Sequence, residues 1–169
     1  MGLRAVVRMR IFLDTEFTNL QDRELVSLGL VAENGSEFYG ESTDFDLSRC
    51  SEFVRETVLP QLGSPAGRAM PVDQLRLAVT DWLQSVPVRD HPILCYDYDG
   101  DRELLERLMG GQLPKRWRTE NIWTRLDAAR LEAFFAEHGH RHHALWDARA
   151  NQASLQSAAR RWSQDVAGR

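Results

Sequence analysis

The run from Ile11 to Thr18 places two carboxylates at the end of an apolar segment. Its first three residues are apolar and predict a buried strand. Because side chains alternate across a strand, Asp14 and Glu16 should point to one face and Thr15 to the other. Two like charges side by side on a core strand are costly unless a cation lies between them, and a divalent metal ion would meet that need. The alternative is that the strand ends at Asp14 and that both acids are solvated loop residues.

A second group of acids follows a short apolar run in the middle of the chain. Asp97, Asp99 and Asp101 alternate with other residues, and a pair of leucines follows them. We expect Asp101 to lie where a strand passes into a helix, with the leucines packing that helix onto the core. The alternative gives Asp101 the ordinary role of an acid favoured by the dipole at a helix N-terminus.

A third group combines His142, in a turn, with Asp147, at the start of the last predicted helix. Alone it could be a surface histidine cluster, since further histidines stand nearby, but together with the other acids it forms a set of four carboxylates and one histidine. Two divalent ions about 3.5–4 Å apart need such a set to stabilise the attacking and leaving oxygens of a phosphodiester. A histidine beside them can take the proton from the attacking water.

The composition is that of an ordinary soluble domain, with 169 residues, 43% hydrophobic and 27% charged. A net charge of -4 argues against a protein that coats nucleic acid by bulk charge. An acidic protein can still bind a phosphate chain through metals held by carboxylates. No apolar run approaches the roughly 18 residues of a membrane span. Two isolated cysteines, Cys50 and Cys95, suit the reducing cytoplasm and offer neither a disulfide framework nor a cysteine-based zinc site.

The order of predicted elements indicates an α/β fold. We find no repeat or linker and expect a single domain over residues 1–169, with a core of about 9–166 and residues 1–8 as an N-terminal extension before the first strand. Strands followed by alternating helices and strands imply a mixed sheet flanked by helices, the order of ribonuclease H-like folds with five strands. The predicted strands after the first are Leu25–Ala32, Glu37–Ser42, Ile93–Tyr98 and Glu120–Trp123. The predicted helices are Ser51–Leu62, Pro71–Val86, one around Leu104–Leu108, Leu126–Phe135 and Asp147–Val166.

Three segments carry a resemblance to a known family. Asp-Thr-Glu-Phe-Thr, Asp-x-x-Leu-Leu and His-x-Ala-x-x-Asp resemble the three motifs of the DEDDh 3′→5′ exonucleases, which include the DnaQ-like proofreading subunits, RNase T and oligoribonuclease. The chain most resembles the RNase AS-type bacterial exoribonucleases, through Asp14–Phe17, Glu24–Gly35, Val58–Pro60 and His142–Arg149. The similarity runs from Met9 to about Leu155 and is weak over 63–92 and 110–120.

This resemblance implies a metal-dependent exonuclease that releases nucleoside 5′-monophosphates. It makes His142 the general base and implies two divalent ions, Mg²⁺ or Mn²⁺. The metal ligands carried over are Asp14, Glu16, Asp101 and Asp147. The second motif here holds three acids where the family relies on one, so Asp97 and Asp99 remain alternatives to Asp101, although the following Leu-Leu favours Asp101.

The resemblance also suggests the substrate. Phe17 and Thr18 would line the 3′-terminal nucleotide, Glu24 would lie near it, and the partner would be single-stranded RNA or a 3′ overhang with an adenylate-rich end. A homodimer is compatible with this assignment. Two alternatives are an exodeoxyribonuclease and a nuclease-like fold retained as a binding module. The basic segment 115–118 could guide a single strand or could be a solvated loop.

Overall fold

A computed structural model describes residues 8–87 and 91–156 of the chain. It opens with an antiparallel meander of three strands, β1 (Arg10–Phe17), β2 (Leu25–Ala32) and β3 (Glu37–Ser42). The turn between β2 and β3 passes through Gly35 with φ at +87°, the left-handed region that favours glycine. These three strands lie where the sequence predicts them.

The sheet gains three further strands and becomes mixed. They are β4 (Ala69–Met70), β5 (Ile93–Tyr96) and β6 (Arg118–Asn121), and the order across the sheet is β4-β3-β2-β1-β5-β6. β5 runs parallel to both β1 and β6, and β4 runs parallel to β3. The mixed α/β sheet is confirmed, whereas the expected count of five strands is wrong. The extra strand is only two residues long and carries no alternation that a sequence pattern could show.

Helices cover both faces of this sheet. On one face, α1 and α2 pack against a core that includes Ile11, Leu13 and Leu28. On the other face α4 packs against Phe12 and Val31, and α3 packs on α4. The helices are α1 (Val72–Ser85), α2 (Asp99–Leu108), α3 (Ala128–His138) and α4 (Ala144–Ser154). Over 8–87 and 91–156, no helix has the length and apolar character needed to cross a membrane.

The last helix differs from its prediction at both ends. It begins at Ala144 rather than Asp147, because Ala144 and Leu145 already pack on the sheet. It ends at Ser154, where Leu155 turns extended and bridges to Leu126 ahead of α3. The predicted continuation over 157–166 lies outside the described residues. The strand predicted to end at Trp123 instead ends at Asn121, and Trp123 begins a short 3-10 turn.

The segment predicted as one helix over Ser51–Leu62 is irregular. A turn of π-helix over Val54–Val58 runs directly into a 3-10 turn over Leu59–Gln61. Pro60 has no backbone N–H to continue a helical ladder, which accounts for the change. Val54 and Val58 are buried with Cys50 and Val26 in a small core beside the sheet. This packing holds the segment against the edge at which β1 ends.

Candidate active site

The two acids of β1 lie on the face that α4 covers. β1 continues through Phe17, so the alternative in which the strand ends at Asp14 does not describe this fold. The neighbouring Thr15 points to the opposite face, where its Oγ1 donates a 2.6 Å hydrogen bond to Oδ1 of Asp101. The strand therefore delivers carboxylates to one face and a hydroxyl donor to the other, as its alternation predicts.

Gly29 sets the distance between the sheet and the start of α4. It pairs with Asp14 across β1 and β2. A Cβ at this position would lie 2.4 Å from the carbonyl oxygen of Ala144. Only glycine allows the backbone of α4 to approach β2 this closely. The first turn of α4, which carries Asp147, is thereby brought beside the acids of β1.

The structure separates the three acids of the second motif. Asp101 is buried in the first turn of α2, and Asp97 lies just beyond the end of β5. Each of them offers a carboxylate oxygen to a set with Asp14, in which all three oxygens lie within 4.8 Å of one another. Asp99 is exposed and accepts a 3.0 Å hydrogen bond from Nδ2 of Asn121. Asp97 and Asp101 are therefore the two members of the motif that join Asp14.

The third motif supplies a second set of donors. Atoms of Glu16, His142 and Asp147 lie within 4.8 Å of one another. The backbone N–H of His142 points to the Asp147 carboxylate, 3.0 Å from Oδ2 and 3.3 Å from Oδ1. Phe53 contacts the His142 ring edge to face, with centroids 4.9 Å apart. These contacts fix the His142 turn relative to the acid of α4.

His143 has a different environment from His142. It is buried, its Nε2 lies 2.7 Å from the carbonyl oxygen of Ser64, and its ring stacks on Tyr39 at 4.6 Å between centroids. Those contacts belong to the interior of the protein. The structure thus places His142, and not the adjacent histidine, beside the acids.

Burial and mutual repulsion raise the pKa values of the acids. Burial raises the pKa of Asp14 well above its usual value, and the neighbouring carboxylates raise it further. The same causes raise the pKa of Glu16 to about 8. Burial also raises the pKa of Asp101 and that of Asp147 to about 7 each. Without a cation, part of this cluster would hold protons near neutral pH, and a bound cation would displace them.

The donor set fits a hard divalent cation. Carboxylate oxygens are the ligands that Mg²⁺ and Mn²⁺ prefer, and an imidazole nitrogen is compatible with Mn²⁺. The two sets meet on β1, since Asp14 belongs to one and Glu16 to the other. Burial and the neighbouring carboxylates raise the pKa values of Asp14 and Glu16, and the Arg141 guanidinium only partly opposes the raised pKa of Asp147. The donor set of these residues is thus consistent with a divalent-metal site.

The acids open into a cavity of about 590 Å³. Phe17 lines this cavity and also a second one of about 430 Å³, which continues from it past Phe53. Thr18 and Glu24 lie outside both cavities. Thr18 is buried, with its hydroxyl accepting from the Glu24 backbone N–H at 3.2 Å, and the Glu24 carboxylate pairs with Arg49. The substrate roles expected for Thr18 and Glu24 stay predictions, and in this structure both residues shape the loop after β1.

Several residues at the site were not found from the sequence. Thr15 carries a signal, because it stands between the two acids of a strand. Asn151 is buried on the cavity wall one turn after Asp147, a helical spacing that could have indicated it. Trp123 is 65% exposed and lines the cavity. The sequence predicts this tryptophan at the end of a strand, where a large aromatic residue needs no functional explanation.

The basic segment 115–118 lies beside the N-terminal ends of β5 and β6. It ends where β6 begins, and β6 runs parallel to β5, with Arg118 paired to Ile93 at the start of both strands. The acids lie at the other end of these strands, where β1 and β5 finish. The segment is thus remote from the cavity, which favours the solvated-loop interpretation.

Comparison with solved structures finds the same fold in two known proteins. The model shares the fold of an exonuclease I from Methylocaldum szegediense, with a TM-score of 0.55 at 16% identity, covering 85% of this chain and 38% of that one. It also shares the fold of S. pombe Pop2p, solved in a Mg²⁺- and Mn²⁺-bound form, with a TM-score of 0.54 at 12% identity, covering 84% of this chain and 79% of that one.

Sequence comparison gives a shorter but stronger match. Proteins named 3′-5′ exoribonuclease in two strains of Mycobacterium tuberculosis are each 44% identical over 80 residues, which is 45% of this chain and 46% of theirs. The match thus spans slightly less than half the length of these curated relatives. No family model matches the chain.

Proposed function

We propose that this protein is a metal-dependent 3′→5′ exoribonuclease that releases nucleoside 5′-monophosphates. The observation that carries the proposal is the convergence of β1, α2 and α4 on one cavity, each bringing carboxylates, with His142 beside them. A structural role does not explain such a cluster, because it raises the pKa of its own members. The nuclease folds and the exoribonuclease relatives support the same activity.

The acids would hold two divalent ions, Mg²⁺ or Mn²⁺. Asp14, Glu16, Asp101 and Asp147 are the proposed ligands, and Asp97 is positioned to assist Asp14 and Asp101. When bound, the ions supply charge stabilisation to the attacking and leaving oxygens of the scissile phosphodiester. The hydroxyl of Thr15 orients one of these ligands through its bond to Asp101.

His142 is the proposed general base. Burial lowers the pKa of its imidazole below the ordinary histidine value, and nearby Arg141 lowers it further. The ring is therefore neutral at pH 7 and can accept a proton from the attacking water at a ring nitrogen. Its pairing with Asp147 through the backbone holds the turn while the side chain remains directed to the cavity.

The second cavity suits the base of the 3′-terminal nucleotide. Phe17, Leu20 and Phe53 give it apolar walls on which a base can stack. Two carboxamides, Asn19 and Gln21, add hydrogen-bonding groups. The Asn19 oxygen already accepts from backbone N–H groups, whereas no hydrogen bond of the described residues engages the Gln21 carboxamide. A side-chain amide is the group that pairs in bidentate fashion with adenine, which supports the proposed preference for adenylate-rich ends.

Single-stranded RNA or a 3′ overhang is the proposed substrate form. Trp123 and Phe53 are both exposed and line the main cavity, so they offer aromatic surfaces for unpaired bases. The exodeoxyribonuclease alternative differs only in tolerance of a missing 2′-hydroxyl. The binding-module alternative would require the same strand to bind without being cut.

One experiment separates these functions. Purified protein is incubated with Mn²⁺ or Mg²⁺ and 5′-labelled oligo-A, oligo-U and DNA strands, with EDTA as the metal-free arm. We expect stepwise shortening from the 3′ end, fastest on oligo-A, no cleavage with EDTA, and none by Asp14→Ala. The matched control is Asp99→Ala, which removes an exposed acid of the same region. Faster cleavage of DNA than of either RNA would favour the exodeoxyribonuclease, and binding without cleavage would favour the module.

Two further expectations accompany this function. We propose the cytoplasm as the location, because the sequence offers only two isolated cysteines, Cys50 and Cys95, and no disulfide framework. A homodimer is the second expectation, and sedimentation of the purified protein decides between one and two copies.

A further inference from the structure

The carboxamide of Gln61 reaches the turn that carries the candidate base. Its Nε2 lies 2.8 Å from the carbonyl oxygen of Arg141, 3.1 Å from that of His142 and 3.0 Å from that of Thr57. Because all three neighbours are carbonyl oxygens, which only accept, the atom that faces them must be the donating nitrogen. Gln61 thus binds two successive peptide carbonyls of the turn from a segment 80 residues earlier in the chain.

The backbone of this turn is one that side chains rarely adopt by themselves. His140 and His142 have φ values of +59° and +64°, in the left-handed region, and Gly139 precedes them at +68°. Such conformations persist where the surroundings hold them. At His142 the backbone sets both the direction of the imidazole and that of the N–H that meets Asp147. A contact that fixes this backbone therefore also fixes the orientation of the candidate base.

The segment that carries Gln61 is itself anchored to the sheet. The backbone N–H of Gly63 donates a 2.8 Å hydrogen bond to Oε1 of Glu41, a buried residue of β3. One residue later, the Ser64 carbonyl lies 2.7 Å from Nε2 of His143. Residues 61–64 thus contact β3 through Gly63 and the turn through Gln61 and Ser64, and Gln61 is the one that binds the carbonyl of His142.

From these contacts we infer that Gln61 is a positioning residue, whose carboxamide fixes the peptide backbone of Arg141 and His142 and thereby aims the His142 imidazole into the cavity. The inference rests on the proposed function. Gln61 does not line the cavity, so it does not touch the substrate. Its loss should lower the rate of the chemical step and leave substrate binding in place, a pattern typical of an interaction needed only in the transition state.

The test compares variants that keep or remove the donor. Gln61→Met keeps the length of the side chain without an N–H, Gln61→Glu is a second non-donor, and Gln61→Lys restores N–H donors. The matched control is Gln152→Met in α4, which removes a carboxamide that donates to Ala32 at 3.5 Å, away from the turn. The readouts are kcat and KM on oligo-A with Mn²⁺, and the hydrogen-exchange rate of the His142 amide without metal.

We expect kcat of Gln61→Met and Gln61→Glu to fall about tenfold or more through misplacement of the base, with KM changed by less than about twofold. The His142 amide should exchange faster in both, and Gln61→Lys and Gln152→Met should stay close to the parent. Unchanged exchange at His142, a rise in KM at constant kcat, or equal losses in Gln61→Lys and Gln61→Met would each overturn the inference. If the unmodified protein cleaves no nucleic acid, the proposed function is overturned together with this inference. If the unmodified protein is active and Gln61→Met has the same kcat and exchange rate, this inference alone is overturned.

Discussion

Thr15 and Asp101 join β1 to α2 through a hydrogen bond of 2.6 Å between the threonine Oγ1 and the carboxylate Oδ1. Both side chains are buried. The bond lowers the pKa of Asp101 against the larger opposing effect of burial, so it favours the ionised form that a cation needs. It also fixes the orientation of the carboxylate, because one of its oxygens is committed to Thr15.

Replacing Thr15 with valine removes this donor while keeping the shape of the side chain. We expect Thr15→Val to weaken Mn²⁺ affinity and activity by about 10- to 100-fold, the usual cost of losing a group that orients a metal ligand. The pKa of Asp101 should rise, so the loss should be greatest at low pH. Calorimetric titration with Mn²⁺ at two pH values measures it. Thr15→Ser, which keeps the hydroxyl, is the control, and equal losses in both variants would contradict the argument.

The acids of the second motif should differ sharply in their effects. Asp101→Asn replaces a buried carboxylate of the proposed metal site by a neutral amide. We expect activity to fall by more than about 100-fold, the upper cost of losing a group that only hydrogen-bonds to a metal ligand. Asp99→Asn changes an exposed residue whose contact is with Asn121, and activity should stay within a few-fold of the parent. Rates on oligo-A with Mn²⁺ measure both. An inactive Asp99→Asn beside an active Asp101→Asn would show that the ligand assignment is wrong.

Replacing His142 and replacing His143 should have different effects on the protein. His142→Ala should lose about 10²–10⁴-fold in kcat, the range for a general base, with the fold intact. The rising limb of the parent pH–rate profile should lie below the ordinary histidine pKa of about 6.5, because burial and Arg141 lower the pKa of His142. That limb should vanish in the variant.

His143→Ala should instead destabilise the protein, since it removes a buried ring that contacts Tyr39 and Ser64. Its thermal midpoint should fall by several degrees, while activity per folded molecule stays within a few-fold of the parent. Thermal unfolding and kcat measured on the same samples distinguish the two histidines. If His143→Ala is folded but inactive, the base has been assigned to the wrong residue.

The metal-free protein should lose stability as the pH rises. The folded-state pKa values of about 8 for Glu16 and about 7 for Asp101 and Asp147 lie above the unfolded values of about 4. The folded state therefore holds protons that the unfolded state has released, and the free energy of unfolding falls between about pH 4 and pH 8. Thermal midpoints in EDTA should follow this trend.

Added Mn²⁺ should reverse that dependence, because the ion binds the deprotonated acids and gains affinity as the pH rises. Asp14→Asn removes one of the repelling charges, so its metal-free midpoint should decline less steeply than that of the parent. If the thermal midpoint of the unmodified protein in EDTA instead increases from pH 5 to pH 8, the pKa values of these acids are not raised in the folded state.

Sequence patterns predicted the parts of the fold that rest on local regularity. β2 and β3 alternate or run apolar over six to eight residues, and their predicted bounds agree with the structure, whereas the pattern of β1 left its end open. β4 could not be predicted, because its two residues form a strand only through pairing with Glu41 and Ser42. The end of the last helix likewise depends on a partner, since Leu155 leaves it to bridge with Leu126.

The same distinction applies to the candidate site. The alternation along β1 and the acids of the other two motifs indicated the carboxylates, and these carboxylates lie together in the structure. The alternation of β1 correctly predicts Thr15 on the opposite face, but its partner on α2 lies 86 positions away and no local pattern reports it. Glu24, whose substrate role stays a prediction, pairs with Arg49 outside the cavity, and no local pattern reports that contact either. Contacts between distant segments, rather than residue types, are what the sequence left undetermined.

The acids of the cavity are spread along almost the whole described chain, from Asp14 on the first strand to Asp147 on the last helix. A nascent polypeptide that has not yet emerged past α4 has neither the histidine nor the closing carboxylate. It also lacks the helix that covers one face of the sheet. The proposed active site is therefore incomplete until the whole region from β1 to α4 has been translated and has folded.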